Sequence, residues 1–302
     1  MSTSLQGMPA QLPEVSSNVS AMIEVEQARE ILSEAVSMYR PEHVFIALSG
    51  GNDSMAIAHL AAELLQNRSR IQVVHINTGI GIPEANAHVK RVCGDNGWEL
   101  TEIRAKEDCG QDYDQLVLAH GFPGPDHHTK MYNRLKERCL RYLGRGKSGK
   151  VMLISGLRQQ ESARRMRLKS EPVQRDGRRI WVAPAFFWTK DHIAEYRALH
   201  DIPESPVSQL LCMSGECLCG AYAPRGQLKE VEFFFPAMGK RLRDLQSKVW
   251  AAGFPWGWDE GPPSWWVEMK RAEKHGQADA FKQEQKIAIR MMCSSCEFRA
   301  KL

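Results

Sequence analysis

One stretch constrains this chain more than any other: Val44-Phe-Ile-Ala-Leu-Ser49-Gly50-Gly51-Asn52-Asp53-Ser54. Val44 to Leu48 is an uninterrupted apolar run, which reads as a strand buried on both faces. Two glycines and several polar residues follow, and Met55 to Leu65 has the apolar spacing of a helix. A strand that turns tightly on glycines into a helix aims unpaired backbone N–H groups and the positive end of the helix dipole at an anion, most often a phosphate. Gly50 and Gly51 let the backbone approach such a ligand closely. Ser49 and Ser54 offer hydroxyl donors, and Asp53 can hold Mg²⁺ or cap the helix. The alternative is a plain strand-to-helix turn with a serine cap. The run is neither a Gly-Lys-Ser/Thr loop nor a GxGxxG fingerprint.

The apolar periodicity alternates along the next part of the chain. Strands are expected at 71–76, 99–104, 151–154 and 179–182. Helices are expected at 21–39, 83–96, 130–143, 159–168 and 190–200. Repeated βα units predict an α/β fold, a Rossmann-like doubly wound, mostly parallel sheet covered on both faces. Beyond about residue 206 cysteine, tryptophan, proline and glycine dominate, and helices are expected only near 235–251 and 263–275. The expected organisation is a flexible tail over 1–18, a nucleotide-binding domain over 19–206, and a Cys/Trp-rich, mainly helical C-terminal region over 207–302. A hydrophobic share of 43% in 302 residues suffices for one large or two modest cores. The net charge of +4 is too small to single out nucleic acid as a partner. Met1 to Asn18 carries no apolar core of a signal peptide, and no run approaches the roughly 18 apolar residues of a membrane span. The expectation is a cytoplasmic protein with no membrane partner.

Two further loops follow predicted strand ends, where ligands of parallel sheets sit. One is Asn77-Thr78-Gly79-Ile-Gly-Ile-Pro83-Glu84. The other is Gly156-Leu-Arg158-Gln-Gln-Glu161-Ser-Ala-Arg-Arg165, in which Arg158 and Arg165 offer forked donors to phosphate or sulfate and Glu161 can orient one of them. The eight cysteines include two close pairs, Cys217-Leu-Cys219 and Cys293-Ser-Ser-Cys296. Four thiolates can hold a tetrahedral Zn²⁺ or a [4Fe–4S] cluster, with Cys139 and Cys212 as alternates. Cys293 and Cys296 can instead form a mobile redox pair. Trp250, Trp256, Trp258, Trp265 and Trp266 can stack on bases. Basic residues do not interleave them densely, so a compact core or a partner surface is expected instead.

These motifs carry a resemblance. Ser49 to Ser54 matches the SGGxDS pyrophosphate loop of the adenine-nucleotide α-hydrolase superfamily. Asn77 to Glu84 resembles the DTGxxFPET segment of phosphoadenosine phosphosulfate (PAPS) reductases, with Asn77 for aspartate and Ile82 for phenylalanine. Gly156 to Arg165 resembles that family's GxRxxESxxR element. Met131 to Lys136 resembles the region where the family carries a cysteine pair, here replaced by Met131 and Tyr132. The resemblance spans roughly 44–220. It implies an adenine nucleotide held by Ser49, Gly50, Gly51, Asp53, Ser54, Asn77, Thr78, Gly79, Gly156, Arg158, Glu161 and Arg165. It makes Asp53, Lys136 and Arg158 the catalytic candidates.

The cofactors it implies are ATP or PAPS, Mg²⁺, and at Cys217, Cys219, Cys293 and Cys296 a [4Fe–4S] cluster ranked above Zn²⁺. The activity it implies is release of pyrophosphate from ATP coupled to sulfur transfer onto an acceptor such as nucleic acid, with a cysteine desulfurase or thioredoxin as partner. Reduction of PAPS or adenylyl sulfate to sulfite is the alternative, and a non-catalytic nucleotide-binding subunit the second. The C-terminal Met292-Cys-Ser-Ser-Cys296 lacks the Glu-Cys-Gly-Leu-His tail of classical reductases, which favours ATP chemistry.

Overall fold

The computed structural model describes residues 14–66, 72–161 and 171–274. Arg165, Cys293 and Cys296, and the tail before Glu14, lie outside the described residues. Six strands form one sheet in the order β3-β2-β1-β4-β6-β5: β1 His43–Ala47, β2 Gln72–Asn77, β3 Glu99–Arg104, β4 Val151–Ile154, β5 Val173–Asp176 and β6 Arg179–Val182. β1 runs parallel to β2 and to β4, and β4 parallel to β6; β5 pairs antiparallel with β6. This is the α/β Rossmann-like sheet the sequence predicts, with β5 added. The sequence offers a signal for that hairpin, the Asp176-Gly177 turn, where Gly177 takes a left-handed φ of 60°.

The chain leaves β1 towards β2 and β3 on one side and returns to β4 on the other. The carboxyl ends of β1 and β4 therefore flank a topological switch point, the usual ligand crevice of such sheets. Ile46 pairs with Ile154, so the loops that leave the two strands start at the same level.

Two compact units make up the chain. The first comprises residues up to His75, Ala87–Glu102 and Gly146–Gln209. Its core sets α2 (Asn52–Leu65) against the sheet: Met55, Ala56, Ile57, Leu60 and Ala61 are buried with Ile46, Leu48, Met152, Ile154, Ile180 and Val182. The alanines let α2 lie close to the strands. Each larger side chain contributes about 1.5–3 kcal/mol by leaving water. α1 (Glu14–Tyr39) joins this core through Ala28, Leu32 and Ala35, one face at helical spacing. It begins seven residues before the expected helix, so 14–18 are helical.

The second unit comprises Ile76–Asn86, Ile103–Arg145 and the chain from Leu210 onward. Two earlier segments thus join the one that starts at Leu210. Its helices include α4 (Tyr113–His120), α9 (Gln227–Phe234), α10 (Pro236–Ala251) and α11 (Ser264–Lys274), with the chain's α3 (Pro83–Asp95), α5 (His128–Tyr132), α6 (Arg138–Leu143), α7 (Lys190–Leu199) and α8 (Pro206–Leu211) preceding α9. The basic helix expected at 130–143 is interrupted: a π-helical turn, Asn133–Glu137, separates α5 from α6. Such turns occur frequently at functional sites, and this one carries Arg134 and Lys136. Among the described residues no helix is long and apolar enough to cross a membrane.

Candidate phosphate loop and cysteine site

In the first unit the Ser49–Ser54 loop is braced by its own hydroxyls. The Ser54 hydroxyl donates to the Gly51 carbonyl at 2.9 Å and accepts from the Ser49 amide at 3.2 Å. The Ser49 and Ser54 oxygens are 3.0 Å apart, and the Gly51 amide donates to Ser49 Oγ at 3.4 Å. With the Ser54 proton committed, Ser49 must donate to Ser54. Both serines thus hold the turn, and the first amides of α2, which have no carbonyl one turn back, are left as the donors for an anion. Gly50 needs its glycine, at φ 83°.

The loop after β4 closes on this turn. A Cβ on Gly156 would come within 2.6 Å of the Ser54 amide nitrogen and 2.7 Å of the Asp53 carbonyl carbon. Two residues on, Arg158 is buried and its Nε donates to Asp53 Oδ2 at 2.8 Å. Its Nη1 reaches the Trp188 carbonyl at 3.5 Å. Asp53, with about a quarter of its side chain exposed, is the group that orients Arg158. Glu161 is exposed on the short turn Gln159–Glu161.

Sequence reading passed over Asn52 and Glu204. The Asn52 amide donates to Glu204 Oε1 at 2.6 Å, and Arg197 lies 3.7 Å from the same oxygen. Glu204 sits in Ile202-Pro-Glu-Ser-Pro206, a segment without metal or nucleophile character, so nothing local marks it.

Asn77, Thr78 and Gly79 belong to the second unit. Asn77 Oδ1 accepts from the Gly79 amide at 3.0 Å. Thr78 is fully buried, and its hydroxyl donates to the Glu216 carbonyl at 2.9 Å. This is one of a set of tethers on the Gly215–Cys219 loop. The Ile82 amide donates to the Gly215 carbonyl, Trp258 Nε1 to the Leu218 carbonyl at 2.7 Å, and the Tyr113 hydroxyl to the Cys219 carbonyl at 3.0 Å. With its carbonyls bound from four directions, the loop is preorganised around Cys217 and Cys219.

Lys136 donates to the protein's own Glu216 Oε2 at 2.6 Å. Burial opposes the ammonium charge, but the Glu216 carboxylate and Cys217 more than offset it and raise its pKa. Of the Cys217–Cys219 pair, Cys219 has the lowered pKa. The Cys217 thiol donates to its sulfur and draws its pKa down furthest; burial opposes, while the Ala221 amide and Lys136 add to the lowering, leaving it at about 7. The same hydrogen bond, with burial, raises Cys217 well above an ordinary thiol. Cys139 is also raised, by burial and then by its hydrogen bond with Cys109.

This yields a measurable expectation. Alkylation of Cys219 by iodoacetamide should rise through a midpoint near pH 7, because the thiolate is the nucleophile. Cys217→Ala removes the donor that stabilises the thiolate, so the midpoint should move up and the rate at pH 7 fall severalfold. Peptide mass mapping across a pH series reads both. An unmoved midpoint would contradict the assigned hydrogen bond.

The expected four-cysteine metal site is not assembled among the described residues. Cys217 and Cys219 adjoin, but no group of three or more His, Cys, Asp or Glu there could hold a metal ion. Of the alternates, Cys212 is exposed with φ 52°, and Cys139 is buried against Cys109. The other expected ligands, Cys293 and Cys296, lie outside the described residues.

The switch-point loop on a parallel sheet defines a nucleotide-loop α/β protein. Residues 43–214 match the phosphoadenosine phosphosulfate reductase domain, over more than half the chain. The chain belongs to that family. Structures similar to it include phosphoadenylyl-sulfate reductase from Candida auris in a phosphate complex, at 13% identity and TM-score 0.45 over 68% of this chain and 94% of that one. FMN adenylyltransferase from Candida glabrata with FAD and inorganic pyrophosphate is similar at 12% identity and TM-score 0.46, over 66% of this chain and 64% of that one. The U34-tRNA thiolase NcsA from Methanococcus maripaludis, with its [4Fe-4S] cluster, is similar at 14% identity and TM-score 0.46, over 77% of this chain and 80% of that one. No curated protein matches the chain.

Proposed function

We propose that this protein is an adenine-nucleotide-dependent enzyme of sulfur metabolism that cleaves ATP at the α-phosphate and transfers sulfur to an activated acceptor. The observation that carries the reading is the turn at Ser49–Ser54. Its hydroxyls are spent on bracing, the first amides of its helix have no carbonyl one turn back, and Arg158 is fixed beside it by Asp53.

An acceptor oxygen attacks the α-phosphorus, a P–O bond forms, and pyrophosphate leaves with the electron pair of the broken bond. Helix amides and Arg158 stabilise the charge that builds on the phosphoryl oxygens. Asp53 fits as a single carboxylate ligand of Mg²⁺, which with the nucleotide's own phosphates would neutralise further charge. A persulfide donor, such as a cysteine desulfurase, passes its outer sulfur to the Cys219 thiolate. That terminal sulfur then displaces AMP from the acceptor. Attack of Cys217 on Cys219 releases the thiolated acceptor and leaves a Cys217–Cys219 disulfide, which a dithiol such as thioredoxin reduces.

The family match supports a second reading, reduction of PAPS. There Cys219 attacks the sulfur of the sulfonyl group, the adenosine bisphosphate leaves, and a dithiol releases sulfite. Anaerobic protein given ATP and Mg²⁺, and separately PAPS with thioredoxin, separates the readings. Pyrophosphate release supports the first and sulfite release the second. Tight nucleotide binding without turnover would leave a non-catalytic subunit. Asp53→Ala should abolish pyrophosphate release, and unchanged release would remove the loop from the mechanism.

A further inference from the structure

The second unit contains a cavity of about 640 Å³ between the segment Leu116–Arg134 and the segment Phe254–Lys270. That volume is within the usual range of ligand pockets, roughly 300–1,000 Å³. Its apolar wall is aromatic. Trp256 and Trp266 meet edge to face at 5.2 Å between centroids, and Phe254 meets Trp266 at 5.7 Å. Trp256 is buried, and its Nε1 is fixed on the Phe122 carbonyl at 2.8 Å. Trp266 is half-buried, so part of its ring is open.

The polar side of the cavity is cationic. Lys130, Arg134 and Lys270 all line it and all are exposed. Lys270 Nζ lies 5.3 Å from the Trp266 ring centre and also pairs with Glu273 at 2.7 Å. No aspartate or glutamate is among the lining residues. An aromatic floor with a cationic rim takes a flat ring attached to an anion. Lys130 and Arg134 lie one helical turn apart and Lys270 comes from α11, and three positive charges around one aromatic floor suit successive phosphates along a strand better than the single phosphate of a free nucleotide.

We propose that this cavity receives an unpaired base of a single-stranded nucleic acid, stacked on Trp266, with flanking phosphates on Lys130, Arg134 and Lys270. Each stacked base and each neutralised phosphate contributes independently of base identity. The inference deepens the function proposed above by making that strand the sulfur acceptor, and it rests on that reading for this role alone. Binding itself does not require turnover.

The test is fluorescence anisotropy of the full-length protein with a labelled oligothymidylate roughly 12 nucleotides long, its ribose counterpart and the matching duplex. Saturable binding to either single strand, at least tenfold tighter than to duplex, is expected. Trp266→Ala should weaken it roughly tenfold or more, while calorimetric affinity for ATP stays unchanged. Exposed Lys130→Gln with Arg134→Gln should flatten the slope of log affinity against log salt by about 1.4, at about 0.7 per phosphate contact. No binding at about 50 mM salt would overturn the proposal. So would equal affinity in both variants, or competition by thymidine monophosphate as strong as by the oligomer. If pyrophosphate release fails while these shifts appear, the catalytic reading falls and the binding site stands.

Discussion

Arg158→Ala is expected to slow pyrophosphate release by roughly 100- to 1,000-fold, the usual cost of losing one preorganised donor to a developing oxyanion. The side chain is buried beside the turn at Ser49–Ser54, so no water replaces its guanidinium cheaply. The substitution also strands Asp53, whose carboxylate accepts from Arg158 Nε at 2.8 Å. A hydrogen bond to a charged group contributes about 1.5–3 kcal/mol, so the thermal midpoint should fall as well. Arg158→Lys should recover part of the stability and less of the rate, because a lysine cannot present a fork to Asp53 and a phosphate together. Initial rates with ATP, read beside a melting curve, separate the two effects. Full activity in Arg158→Ala would leave the residue a purely structural one.

Trp258→Ala should destabilise the second unit by about 3–5 kcal/mol, the range for removing a large buried aromatic side chain. Trp258 is 1% exposed, and it packs on Gly220, where an added Cβ would lie 3.0 Å from its indole. Its Nε1 also holds the Leu218 carbonyl. Against a typical domain stability of about 5–15 kcal/mol the loss is large. It should appear as an early urea transition and as faster amide exchange in the Gly215–Cys219 loop. Trp258→Phe keeps most of the volume and loses only the N–H, so it should cost less. Because the loop sets the Cys219 environment, the alkylation midpoint near pH 7 should rise towards that of an ordinary thiol. A variant as stable as the parent would show that the loop is held from elsewhere.

Strands β1, β2, β4 and β6 were legible because each carries a short apolar or β-branched run, whereas β3, Glu-Leu-Thr-Glu-Ile-Arg, is only partly buried and was legible from its place in the βα alternation. β5 was not, since Val173-Gln-Arg-Asp176 is mostly exposed and owes its pairing to β6. α4 was missed because it has only eight residues; its cap is clear, with Asp112 accepting from the Asp114 and Gln115 amides. The interruption of the 130–143 helix has no marker in its helix-forming sequence. The tryptophans were expected to be core or partner surface because basic residues do not interleave them densely. Of the three cations lining the cavity, two, Lys130 and Arg134, come from more than a hundred residues earlier.

What the amino-acid order determined alone is the parallel sheet and the turn that follows its first strand. That turn is local: its braces join Ser49, Gly51 and Ser54, residues so close along the chain that geometry and side-chain chemistry leave little choice. What folding decided is the state of each functional group. Asp53 found Arg158, Asn52 found Glu204, Lys136 found Glu216, and the Cys217–Cys219 pair found Lys136. Charge and hydrogen bonding act over a few ångströms of space whatever the separation in sequence, so these pairings exist only once the chain has brought distant segments together.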